Sequence, residues 1–233
     1  PGNALASIVA SLHDADRRVT ISGYYDDVRE LTDVENARIA DLPFEDAAYA
    51  EAVGVDALTG ENGFTTLQRK WARPTLDVNG MIGGFTGKGA MTVIPSKVSS
   101  KMSMRIVPDQ DPETISKAFD DAVRAACPPG IRLEIQTHAM CGPYISDLDS
   151  VGMKAAAEAM TLGFRAPPVY MREGGSLPIL PLFKEVLGAD SLMLGFCEPD
   201  CNAHSPNEFF GLDDFHRGIR TAATFLHLLS GSK

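Results

Sequence analysis

With 233 residues, 44% of them hydrophobic, the chain is long enough to build a sizeable core, and two ordinary domains are expected rather than one. A formal net charge of −10 argues against the clustered Lys and Arg of a phosphate-binding surface, which sets nucleic acid aside as a partner. No run approaches the roughly 20 consecutive apolar residues of a membrane span, so no membrane partner is expected.

The opening PGNALASIVASLHD lacks the basic flank and cleavage pattern of a secretory signal, and its first residue is Pro rather than Met, so the start is expected to be a boundary of processing or of a chosen cut, with whatever precedes it unseen. Within it, Leu5, Ile8, Val9 and Leu12 form the i, i+3, i+4, i+7 stripe of an amphipathic helix, with Asn3 as a plausible cap. Residues 19–71 mix short apolar runs with acidic clusters and read as helices joined by loops. The alternation over 98–106 fits a strand with one wet face. The Gly-rich stretch 80–89 fits a long hairpin connection, so two antiparallel strands are expected within 75–108. Asp111-Pro112-Glu113 opens a helix that stops at Pro128-Pro129-Gly130. Residues 131–135 alternate as a further strand. Residues 1–140 are therefore expected to be α+β, an antiparallel sheet with helices on one face, carrying an insertion at about 19–71.

After Cys141-Gly142-Pro143 the pattern changes. An Ala-rich helix (151–162), a strand (169–171), a helix (177–187), an apolar strand (191–196) and a closing helix (213–229) alternate as elements do around a mostly parallel sheet. Two strands make no stable sheet, so this part, 141–233, is expected to need partner strands from outside it.

Four cysteines, at 127, 141, 197 and 201, are too few for a disulfide scaffold, and a cytoplasmic location is expected. Cys197-x3-Cys201-x2-His204 offers ligand types that zinc uses, but only three of them, so a self-contained knuckle is disfavoured against incidental thiols. A structural zinc protein built on these three side chains stays as a rival reading. His204 follows an expected strand end, where α/β sheets collect functional groups, although a loop His bonded to backbone is the commoner case. In Arg172-Glu173-Gly174-Gly175-Ser176, two glycines allow close backbone approach to a ligand, though many such turns are glycine-rich for geometry alone. Thr92 in TVIP and Arg105 on the next strand could be brought together by the hairpin as a hydroxyl and a carboxylate-gripping fork. Arg105 as a plain surface charge is the alternative.

Taken in order, RPTLDVNGMIGGFTGKGAMTVIPSKVSSKMSMRIVPDQDP, MREGGSLPI and NAHSPNEFF resemble the co-catalytic zinc metallopeptidases of the carnosinase, cytosolic dipeptidase and carboxypeptidase G type, along nearly the whole chain. The resemblance implies that 1–140 is most of a lid domain that forms the dimer interface, and 141–233 the C-terminal part of an α/β catalytic domain. It implies a hydrolase that cleaves short peptides with a free C-terminal carboxylate and holds two zinc ions, with manganese or cobalt suited to similar ligands. His204 becomes a single metal ligand and the cysteines incidental. Arg105 becomes the grip on the substrate carboxylate, and Thr92 a lid residue reaching the partner subunit's substrate. Glu173, Gly175 and Ser176 become the wall that holds the peptide's amino end and backbone. Met91 departs from the Lys usual before TVIP in dipeptidase-like members, which touches fine specificity. The remaining ligands and the general base precede Pro1 in the family order, so this chain by itself is expected to be metal-free and inactive. A non-catalytic dimerisation module and a related amidohydrolase, such as a deacylase or desuccinylase, are the alternatives.

Overall fold

The computed structural model describes residues 1–173 and 177–231. The chain forms two units, Pro1–Pro143 with Met171–Pro178, and Tyr144–Tyr170 with Ile179–Lys233.

In the first unit α1 (Gly2–Ser11) puts the expected apolar stripe inward, burying Ile8, with Leu12 buried at its C-cap. The segment 19–71 carries three short helices, α2 (Asp33–Ala40), α3 (Asp46–Val53) and α4 (Thr66–Trp71). Local chemistry fixes two of their starts. Thr32 with Glu35, and Thr65 with Gln68, each form a reciprocal capping box that satisfies amides the first turn would otherwise leave open. The insertion is further held by Arg73, whose side chain is only 5% exposed. Its guanidinium donates to both oxygens of Glu61 at 2.9 and 2.8 Å and stacks 4.2 Å from the Phe64 ring centroid. Removing either partner would strand a buried charge, so this pair fixes the return of the insertion to the sheet.

That sheet is an antiparallel hairpin of β1 (Thr75–Gly83) and β2 (Val98–Arg105), in register from Thr75 opposite Arg105 to Gly83 opposite Val98. A bulge at Asn79, between Val78 and Gly80, shifts the register by one residue and alters which side chains share a face beyond it. Gly83 is required as glycine, since its φ is 152° and an added Cβ would collide with the Val98 side chain. α5 (Pro112–Ala126) starts on Asp111, whose carboxylate accepts from the Thr114 N–H at 2.8 Å, and buries Ile115 and Val123. The core of the unit joins Ile8, Leu12, Val19, Ile21, Tyr24, Leu76, Ile115 and Val123, with Met102, Met104, Leu133 and Ile135 packed against it. Gln110 ties the loop after β2 to this core. Its side chain accepts from the Val107 N–H at 2.9 Å and donates to the Tyr24 carbonyl at 2.7 Å.

Residues 131–135 differ from expectation. Leu133 and Ile135 do alternate toward the core, but no strand ladder is formed there. Alternation decides which side chains are buried; a ladder also needs a backbone edge in register beside it.

In the second unit α6 (Val151–Phe164) is capped by Ser150, whose hydroxyl accepts from the Met153 N–H at 3.1 Å. It packs on α8 (Leu212–Gly231) through small residues: Ala155, Ala156, Ala159 and Gly163 are buried on one helix, Asp214, Gly218 and Thr221 on the other. Gly163 sets the spacing, because a Cβ there would lie 3.2 Å from the Arg217 carbonyl oxygen and would collide with the Thr221 hydroxyl. α7 (Ile179–Leu187) lies between them in sequence. Residues 169–171 and 191–196, expected as strands, are not assigned as strands. At Ser191 the backbone bonds go to side chains instead: its N–H donates to the Tyr144 hydroxyl at 2.7 Å, and its carbonyl accepts from Ser146 at 2.9 Å. With no partner strand among the described residues of this unit, an apolar run cannot build a ladder, and Val169 and Met193 remain exposed.

Candidate functional site

Each residue singled out by the motifs has a definite place. Arg105 ends β2 opposite Thr75, is exposed, and has no ion-pair partner among the described residues. Thr92 is exposed in the connection 84–97, beyond the other end of the hairpin. The seven residue steps of β2 from Val98 to Arg105, at about 3.3 Å each, separate the two ends by roughly 20 Å or more. Any meeting of hydroxyl and guanidinium within one subunit would therefore require the connection to fold back along the hairpin. The connection is also unusually apolar for an exposed loop: Met91, Val93 and Ile94 are all exposed, Ile94 by 82%. An arm of this kind is built to be covered by something else.

Glu173 is exposed and follows Arg172, which is ion-paired with Glu35 on α2. Gly175 and Ser176 lie outside the described residues. Burial pushes the Glu35 carboxyl up, but the Thr32 amide and hydroxyl and the Arg172 guanidinium outweigh it and hold the group below the ordinary carboxylate range.

His204 is exposed in a loop where Asn202, His204 and Asn207 all have left-handed backbone, His204 with φ 62°. Asn and His adopt this conformation more readily than most non-glycine residues, and it is held here by local bonds, Ser205 N–H to the Asn202 carbonyl at 2.9 Å and Phe209 N–H to the Cys201 carbonyl at 3.0 Å. Among the described residues no three His, Cys, Asp or Glu side chains converge as a metal site, so Cys197, Cys201 and His204 form no knuckle. The Cys197 thiol is pushed above its usual pKa by desolvation, with Cys201, Glu208 and Asp214 adding to the effect. A two-metal centre does not fit on these residues alone; His204 could supply one ligand to a site completed by others.

Residues 1–131 match the family described as the peptidase dimerisation domain of the M20 peptidases. The chain belongs to this M20 dimerisation-domain family. It is 32% identical over 233 residues to the Cys-Gly metallodipeptidase Dug1 of Schizosaccharomyces pombe, covering 99% of this chain and 49% of that protein. To the human Beta-Ala-His dipeptidase it is 25% identical over 224 residues, covering 95% and 44%. The crystal structure of the M20 family metallo-carboxypeptidase Sso-CP2 from Sulfolobus solfataricus superimposes with a TM-score of 0.87 at 31% identity, covering 98% of this chain and 52% of that one. The chain spans about half the length of the curated relatives it matches. The M20 match extends over α1, the insertion, the hairpin and α5, which is the unit whose connection carries the exposed apolar arm. The Glu35–Arg172 pair was not legible in the sequence: Thr32-x2-Glu35 announces a capping box, but nothing local announces a second partner for the carboxylate.

Proposed function

We propose that this chain provides the dimer-forming lid, 1–140, and the C-terminal part of the catalytic domain, 141–233, of a metal-dependent dipeptidase or carboxypeptidase acting on short peptides. The carrying observation is the similarity to M20 metallopeptidases along almost the whole chain, in both sequence and fold. Two zinc ions, with manganese or cobalt as substitutes, would polarise the scissile carbonyl when bound. His204 would contribute one ligand. Arg105, exposed and without an ion-pair partner among the described residues, would grip the terminal carboxylate in a planar fork. That grip selects short substrates, because a longer peptide has no terminal charge at the same distance from the reacting bond. Thr92, exposed in the connection 84–97, would serve the partner subunit of a homodimer. Glu173, Gly175 and Ser176 would hold the amino end and backbone. Among the described residues no helix is long and apolar enough to cross a membrane. The cytoplasm is the proposed location.

The test is hydrolysis of Cys-Gly and of its C-terminal amide by the full-length protein in added zinc. Turnover of the free acid well above that of the amide is expected. Equal turnover of the two, or none of either, would overturn the reading.

A further inference from the structure

One side-chain cluster links the insertion to the segment that carries Glu173. Arg172 and Glu35 are 137 residues apart in sequence, and their side chains are 20% and 25% exposed, so the pair is shielded from solvent far more than an ordinary surface bridge. The Glu35 carboxylate is divided between two tasks. Its Oε2 accepts from the Thr32 N–H at 2.9 Å and from the Thr32 hydroxyl at 3.0 Å, while Oε1 accepts from Arg172 Nη2. The Glu35 N–H closes the capping box on Thr32 Oγ1 at 3.2 Å. A capping box needs one carboxylate oxygen and locks the side chain in a single rotamer. The second oxygen is thereby presented at a fixed place, and a guanidinium fork is suited to reading a fixed place. Residues 171–173 belong to the same unit as the insertion, not to the one that contains α6 and α8, consistent with this tie.

We infer that Glu35 is a positioning residue for the peptide site: through Arg172 it fixes the backbone that carries Glu173. The inference rests on the reading of Glu173 as part of the wall that holds the peptide's amino end. It gives the insertion a task in substrate binding, at a residue that never touches substrate.

The test uses the full-length enzyme with Glu35→Gln, Arg172→Gln and the double variant. Gln at 35 retains an oxygen for the cap but offers no negative charge to Arg172. Each single change is expected to raise KM for Cys-Gly about tenfold with kcat within about twofold, and the double variant to be no worse than either single, because both remove the same tie. A structural role alone would lower the melting temperature without this KM-only signature. Wild-type KM in Glu35→Gln, or single effects that multiply in the double variant, would overturn the inference. Hydrogen exchange at the amides of residues 172 and 173, expected to quicken in Glu35→Gln, reads the tie without activity. A wild-type protein that turns over no dipeptide would sink the functional reading instead, and unchanged exchange would then still refute the tie.

Discussion

Arg105 and His204 carry different kinds of chemistry, and substitution should separate them. Arg105→Lys keeps a positive charge but loses the fork, so in the complete enzyme KM for a dipeptide should rise roughly tenfold, as expected for losing a hydrogen bond to a charged group. The C-terminal amide should be nearly unaffected; equal slowing of acid and amide would remove the carboxylate role. His204→Ala should lower bound metal, read by atomic absorption, and abolish most activity. Cys197→Ser and Cys201→Ser should do neither, since no metal-holding group includes them among the described residues. Glu35 adds a pH signature. Its carboxyl lies below the ordinary 4.5, so its contribution to stability is complete above that value and fades as pH falls through the lowered one. Calorimetry should show wild type melting above Glu35→Gln at neutral pH, with the gap closing in acid. At this scale the motif residues could be singled out because each sits in a short local pattern. The partner of Glu35 was not, because an ion pair spanning 137 positions leaves no local trace.

Helices were legible because capping and periodicity are local properties. Asp111-Pro112-Glu113 and the stripe through Ile115 and Val123 announce α5, and the run of alanines after 151 announces α6. The hairpin was legible for a related reason: both strands and their connection lie within one stretch, so their alternation and glycines report on one another. Residues 131–135, 169–171 and 191–196 have strand-like composition, yet a ladder depends on an edge elsewhere, which composition cannot supply. The bulge at Asn79 was equally hidden, since no residue type marks it. Helix packing supports a sharper expectation. Gly163 leaves no room for a Cβ against the Arg217 carbonyl and the Thr221 side chain, so Gly163→Ala should destabilise the α6–α8 pair by about 1–3 kcal/mol despite alanine's better helix propensity. Gly152→Ala, with only the Leu192 side chain 3.1 Å from the added Cβ, serves as the milder control. Equal melting of the two variants would mean that α6 and α8 can move apart at little cost.

For the molecule as a whole, the two units differ in what they leave uncovered, and this bears on assembly. The first has a continuous core, a buried Arg73–Glu61 pair and capped helices, yet its sheet has two strands among the described residues, so each is an edge strand, and it exposes an apolar arm at Met91, Val93 and Ile94. Edge strands with open N–H and C=O groups are satisfied cheaply by a twin across a two-fold axis. The second unit exposes apolar side chains of another sort, Phe215 and Ile219 on α8, Leu182 and Val186 on α7, and Met193, without a sheet to receive them. The 233-residue chain on its own should therefore form a dimer through the first unit and show no peptidase activity in added zinc, and limited proteolysis should cut the second unit first. Ile94→Asp should shift the dimer toward monomer, because it places a charge on the arm's most exposed apolar residue while touching no core contact. Light scattering at micromolar concentration decides the first point, and a strict monomer there would refute lid-mediated assembly. Turnover of Cys-Gly by the same sample would show that the metal ligands lie within these residues after all.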